Sequence, residues 1–161
     1  MYRSEPSNIP MLFPVFHLGA RLDPANRWLK LAEAMPWDRL DELYGKYFAR
    51  GQGRPAKDSR LVAGLLTVKL VKNLSDEDAV QEFMESPYIQ AFCGCGYFAV
   101  ESVISPGILS ERRKRLGRDF FDFFDSEVPR VLKDSRAFRL KLQRDRAGAG
   151  FIGWLKGLFS R

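Results

Sequence analysis

The sequence has few of the residues that most metal and redox chemistry needs. Of its 161 residues, one is histidine (His17) and two are cysteine (Cys93 and Cys95), and one glycine separates the cysteines. A structural zinc ion takes about four ligands, so neither a metal site nor a cofactor is expected. A disulfide closing so small a ring would be strained. Two free thiols in a reducing compartment are expected instead. Long apolar runs are missing too: none approaches the ~18 residues of a membrane-spanning helix. The opening MYRSEPSNIPMLFPVFHLG has an apolar patch broken by Pro10 and Pro14, with no small-residue cleavage site, so no signal peptide is expected. There is no strong alternation of apolar and polar residues of the kind that marks strands. No internal repeat and no low-complexity tract is found.

Negative charge is scarce at one end. Residues 1–104 hold 12 Lys/Arg against 13 Asp/Glu, whereas residues 105–161 hold 14 against 7. The net charge of +6 therefore arises entirely in the C-terminal third. Such asymmetry points to a nucleic acid or a membrane surface as partner.

What is present reads as a series of helices. Asp23-Pro24 supplies a cap followed by proline at the first helical position, and Trp28, Ala32 and Met35 follow at helical spacing up to Pro36. Asp38 is the expected cap of the next helix, whose apolar face is Leu40, Leu43, Tyr44, Tyr47 and Phe48. Ala49–Asp58, ARGQGRPAKD, is a linker rich in glycine and basic residues. The segment SRLVAGLLTVKLVKNL is apolar almost all round, as in a central buried helix, with Asn73 as its stop. Ser75–Asp78 forms a capping box ahead of a stripe of Ala79, Val80, Phe83 and Met84, so a helical hairpin is expected. Ser86-Pro87 opens a short helix that Gly94 and Gly96 close, and Ser105-Pro106 opens another. Beyond Gly117, Phe124, Val128, Val131, Phe138 and Leu142 keep helical spacing, with a kink expected at Pro129.

The stretch SPGILSERRKRLGRDF is the most charged: five of the seven residues from Arg112 to Arg118 are Lys or Arg. On a continuous helix, Leu109, Leu116, Phe120 and Phe123 share an arc of about 60°, and Lys114, Arg115 and Arg118 lie on the far side within about 100°. Arg112 and Arg113 flank the apolar stripe. A charged helix face is ordinarily just solvated surface, but such surfaces mix signs to gain i,i+4 pairs. Here Glu111 is the one acid between Ser105 and Arg118. A cationic helix closing a series of tight, capped turns is how helix-turn-helix domains offer a helix to the major groove, where Arg serves base edges and phosphates alike. The candidate contacts are Ser105, Arg112, Arg113, Lys114, Arg115 and Arg118. The short hydroxyls and Gly107 at the helix start permit close approach. Arg54 in the GRP of the linker is a candidate minor-groove contact.

These blocks carry a resemblance. Arg54-Pro55, Asn73–Glu77 (NLSDE), Ser86–Gly94 (SPYIQAFCG) and Ser105–Gly117 (SPGILSERRKRLG), in that order, resemble the N-terminal domain of InsH-like insertion-sequence transposases over about Leu22–Gly117. The sequence departs at Glu111-Arg112, where that family often has Arg-Trp. The resemblance implies a domain that binds the element's terminal repeats on double-stranded DNA in the cytoplasm, associated with the nucleoid. In the family, a ribonuclease-H-like domain follows and holds two metal ions. That domain is not found here: residues 118–161 lack strands, and Asp119, Asp122 and Asp125 read as helix-surface charges. The chain is therefore expected to be a truncated, DNA-binding part of a transposase and not an enzyme by itself. The alternatives are a module that self-associates or pairs with a full-length transposase and inhibits it, or a membrane-surface protein. The last would act through the amphipathic tail FIGWLKGLFSR, which also reads as a packing helix or as out-of-frame translation.

The fold class expected is all-α, a helical bundle of short capped helices with a helix-turn-helix-like basic helix. Its expected divisions are an extended arm over residues 1–22, the DNA-binding helical domain over 23–118, a helical extension over 119–147 and the tail over 148–161.

Overall fold

The computed structural model describes residues 22–48, 58–101, 103–135 and 138. Arg54, Leu142 and the amphipathic tail lie outside the described residues. Seven helices and no strand element occur among the described residues: α1 (Arg27–Ala34), α2 (Trp37–Gly45), α3 (Ser59–Lys72), α4 (Asp76–Glu85), α5 (Pro87–Phe92), α6 (Pro106–Arg115) and α7 (Arg118–Asp134). The fold is all-α, as the sequence predicts. None of these helices is long and apolar enough to cross a membrane.

The helix α3 is the centre. Ser59 and every residue from Leu61 to Lys69 are buried, which explains its lack of a polar face. Asp58, the last residue of the expected linker, caps it by accepting hydrogen bonds from Arg60 N–H at 2.8 Å and Leu61 N–H at 3.3 Å. Asn73 ends it in the left-handed conformation, φ 55°. Three residues later α4 starts under the Ser75 hydroxyl, which accepts from Asp78 N–H at 3.0 Å, and α4 packs back on α3. Ser86 and Ser105 cap α5 and α6 in the same way, each followed by proline in the first turn. α5 lies against α1 and α4, α6 against α4, and α2 against α3 and α7.

Two expected helix starts are corrected. Asp23 makes a turn, with its carboxylate accepting from Ala25 N–H at 2.8 Å, and Asn26 caps α1 instead. Asp38 lies inside the first turn of α2, whose cap position is Pro36 without a side-chain bond. At both places an aspartate serves a turn or a first helical turn as well as it serves a cap, so the residue type does not fix the start.

The core is continuous. Trp28, Leu31, Tyr44, Leu65, Phe83, Phe92, Leu109, Phe120, Phe124, Val128 and Leu132 belong to one buried cluster. The expected division after residue 118 falls after the first residue of α7, and residues on both sides of it belong to this core. Phe138, at the far end, is buried edge-on against Trp28, with ring centroids 4.6 Å apart. Both cysteines are free thiols. Cys93 is packed so closely against Gly64 that a Cβ there would stand 2.7 Å from its sulfur.

Candidate nucleic-acid interface

The helix α6 does not run on through Leu116 as a continuous helix would. Leu116 adopts an extended conformation, ψ 137°, Gly117 follows, and α7 starts afresh at Arg118. The single arc expected for Leu109, Leu116, Phe120 and Phe123 is thus replaced by a corner. The side chains still point inward: Leu109, Leu116 and Phe120 are buried and Phe123 is half-buried. Tyr47 forms the corner. Its hydroxyl bonds to the Asp119 carboxylate at the start of α7. It also fills the space beside Gly117, where a Cβ would lie 2.2 Å from the phenolic oxygen. The Tyr47 bond holds the Asp119 carboxyl below the ordinary aspartate value.

The corner divides the cations into two groups. Arg113, expected to flank the apolar stripe and named among the candidate contacts, is buried: its Nη1 donates to Asp76 Oδ1 at 2.9 Å, and Lys69 Nζ donates to the same oxygen at 2.5 Å. The cause of this burial is the packing of α6 on α4. Arg113 falls on the face that includes Leu109, and Asp76 at the start of α4 is the anion that makes its burial tolerable. Arg112 is largely covered, its side chain 16% exposed, and its guanidinium lies over the Phe48 ring at 5.0 Å.

Lys114, Arg115 and Arg118 are exposed. Arg115 is aimed by two contacts: Nε donates to the Tyr47 carbonyl at 3.0 Å, and the guanidinium stacks over Phe48 at 4.6 Å. Lys114 has no ion-pair partner among the described residues. Arg118 faces Asp122 at 3.6 Å, but both side chains are mostly in water, at 92% and 70% exposure. Such a pair contributes little and exchanges readily for another anion. Lys46, which the sequence did not single out, joins the same end of the molecule through a 3.4 Å contact with Asp119. Ser105 is exposed, and its hydroxyl accepts from Ile108 N–H at 3.3 Å.

Tyr47, Phe48 and Asp76 are the supporting residues that sequence reasoning missed. In the sequence Tyr47 and Phe48 belong to an apolar stripe and Asp76 to a capping box. No local signal joins them to residues 37 to 72 positions away. No group of three or more His, Cys, Asp or Glu side chains among the described residues is placed to hold a metal ion. Asp119 and Asp122 are exposed, as expected of surface charges. Asp125 is half-exposed: one carboxylate oxygen is buried without a hydrogen-bond partner among the described residues, and burial pushes its carboxyl up to about 6.

The comparisons with known proteins agree with this arrangement of blocks. No solved structure matches the chain. The uncharacterized protein ORF8 in the nfe locus of Rhizobium meliloti is 41% identical over 100 residues. That stretch is 62% of this chain and 48% of the relative, so the match spans about half of the relative's length. The family model described as a transposase domain, DUF772, matches residues 16–115, which run from before α1 to the last residue of α6. The chain therefore belongs to the DUF772 transposase-domain family.

Proposed function

We propose that this domain binds double-stranded DNA, as the part of an insertion-sequence transposase that recognises the ends of the element. The observation that carries the reading is the sorting of cations at one corner of the bundle. Arg113 is spent on locking α6 to α4, while Lys114, Arg115 and Arg118 remain exposed together, with Lys46 beside them. Arg115 is held in place by Tyr47 and Phe48. Cations fixed on a rigid support lose little entropy when they meet phosphates. Helix α6, capped and docked by one face, is the element offered to the major groove. Ser105, at its start, is a candidate phosphate contact. Arg54, six residues after Phe48 and four before Asp58 in the chain, is the candidate minor-groove contact. On this reading the domain is nucleoid-associated in the cytoplasm and performs no strand transfer by itself.

The test is affinity for a duplex measured over a salt series. Each phosphate contact contributes close to one unit to the log–log slope. The triple variant K114A/R115A/R118A is expected to flatten the slope by about 2–3 units. An unchanged slope overturns the assignment to this corner.

A further inference from the structure

The exposed positions of α6 are not all cationic. Gly107, Glu111 and Lys114 are exposed at spacings of four and three, along one side of the helix. The only carboxylate of α6 thus sits mid-helix, one turn before Lys114, on the surface that the preceding reading turns toward DNA. If that surface did no more than grip the backbone, a carboxylate there would only repel phosphates. It suits a base edge, because an ionised carboxylate accepts hydrogen bonds and cannot donate them.

The surroundings of Glu111 fit that role. Oε1 lies 3.6 Å from Arg112 Nη1, and the side chain is 61% exposed, so the pair is loose. The other oxygen, Oε2, has no partner among the described residues. Arg112 is itself fixed over Phe48 and therefore biases the direction of the carboxylate. One turn earlier, Gly107 carries no side chain. A Cβ there would meet nothing nearer than the Ser105 hydroxyl at 4.0 Å. The helix can therefore approach a groove floor closely over the turn before Glu111.

We propose that Glu111 is the base-discriminating residue of this surface, accepting a hydrogen bond from the N4 amino group of a cytosine in the major groove. The proposal rests on the DNA-binding reading above. Arg112 and Phe48 are its positioning residues.

The experiment is selection of bound duplexes from a random-sequence library by the whole chain, by E111A and by E111Q. Wild type is expected to enrich a motif containing a cytosine. E111A is expected to lose preference at that one base pair by about tenfold while keeping the others. It should also bind a fixed, non-matching duplex about two- to threefold more tightly, since a repulsive charge is gone. E111Q should shift the same position toward adenine, which a glutamine amide reads through N6 and N7. Thermal melting of the variants controls for folding, and little change is expected at so exposed a position. An unchanged motif in E111A, or a loss spread evenly over all positions, overturns the proposal. Wild-type binding with no enriched motif also overturns it and leaves non-specific DNA binding standing. Failure of wild type to retain any duplex overturns the DNA-binding reading itself.

Discussion

Arg113 and Lys69 share one oxygen of Asp76, at 2.9 and 2.5 Å, with all three side chains about nine-tenths buried. The three residues come from α6, α3 and α4, so a single carboxylate fixes three helices to one another. It also leaves two cations on one anion, a balance that tolerates losing a cation better than losing the anion.

Asp76→Ala is accordingly expected to cost about 3–5 kcal/mol, because it strands two buried cations. Arg113→Ala leaves Asp76 paired with Lys69 and should cost less, about 2 kcal/mol. Urea denaturation of the two variants decides the matter. Equal losses, or a larger loss for Arg113→Ala, would refute the shared-oxygen account.

Gly117 has φ −89° and ψ −178°, a conformation open to any residue, so its constraint is space alone. Gly117→Ala places a methyl group against the Tyr47 ring and hydroxyl. A destabilisation of about 1–3 kcal/mol is expected. A double-mutant cycle with Tyr47→Ala should recover most of it, since the clash disappears with the ring. Additive losses would mean that the corner is held by something else.

Gln90 is fully buried and spends both ends of its amide on one residue: Nε2 donates to the Ala99 carbonyl at 2.9 Å, and Oε1 accepts from Ala99 N–H at 2.6 Å. This pins the segment between α5 and α6. Gln90→Leu keeps the volume and leaves two buried backbone groups unpaired, at about 1–3 kcal/mol for each group that water cannot reach. Amide hydrogen exchange at Ala99 should speed up in the variant. An unaltered exchange rate would show that the bond does not hold the segment.

Asp125 makes stability depend on pH. Burial, with the Asp122 carboxylate adding to it, raises its carboxyl from 3.8 to about 6. Below pH about 3.8 it is protonated in folded and unfolded chains alike and costs nothing. As the pH rises from there, the unfolded chain ionises first and folding loses stability, a loss complete above about 6. Asp125→Asn is expected to raise Tm by about 2–5 °C at pH 7.5 and to leave it unchanged at pH 3.5. A gain confined to low pH would contradict this sign.

Much of the architecture could be read from local chemistry. The serine–proline pairs at 86–87 and 105–106 mark helix starts because cap and proline geometry are settled within four residues. Helix α3, apolar almost all round, announces its own burial. The starts of α1 and α2 were misplaced because Asp23 and Asp38 are equally good in a turn, at a cap or in a first turn. The basic block was legible as a block. Its division into a buried lock and an exposed face was not, because Arg113 and Lys114 are adjacent, alike in charge, and distinguished only by what faces each.

The sequence by itself determined the helical class, the serine–proline helix starts, the basic block and the family blocks, all of which depend on neighbours a few residues apart. Only the tertiary structure decided which cations remain in water. That choice depends on Asp76, Tyr47 and Phe48, which lie 37, 68 and 64 positions from the residues they hold, Arg113, Arg115 and Arg112. Burying a guanidinium requires an anion or an aromatic face at contact distance. Which residue meets that requirement is known only once the helices are packed.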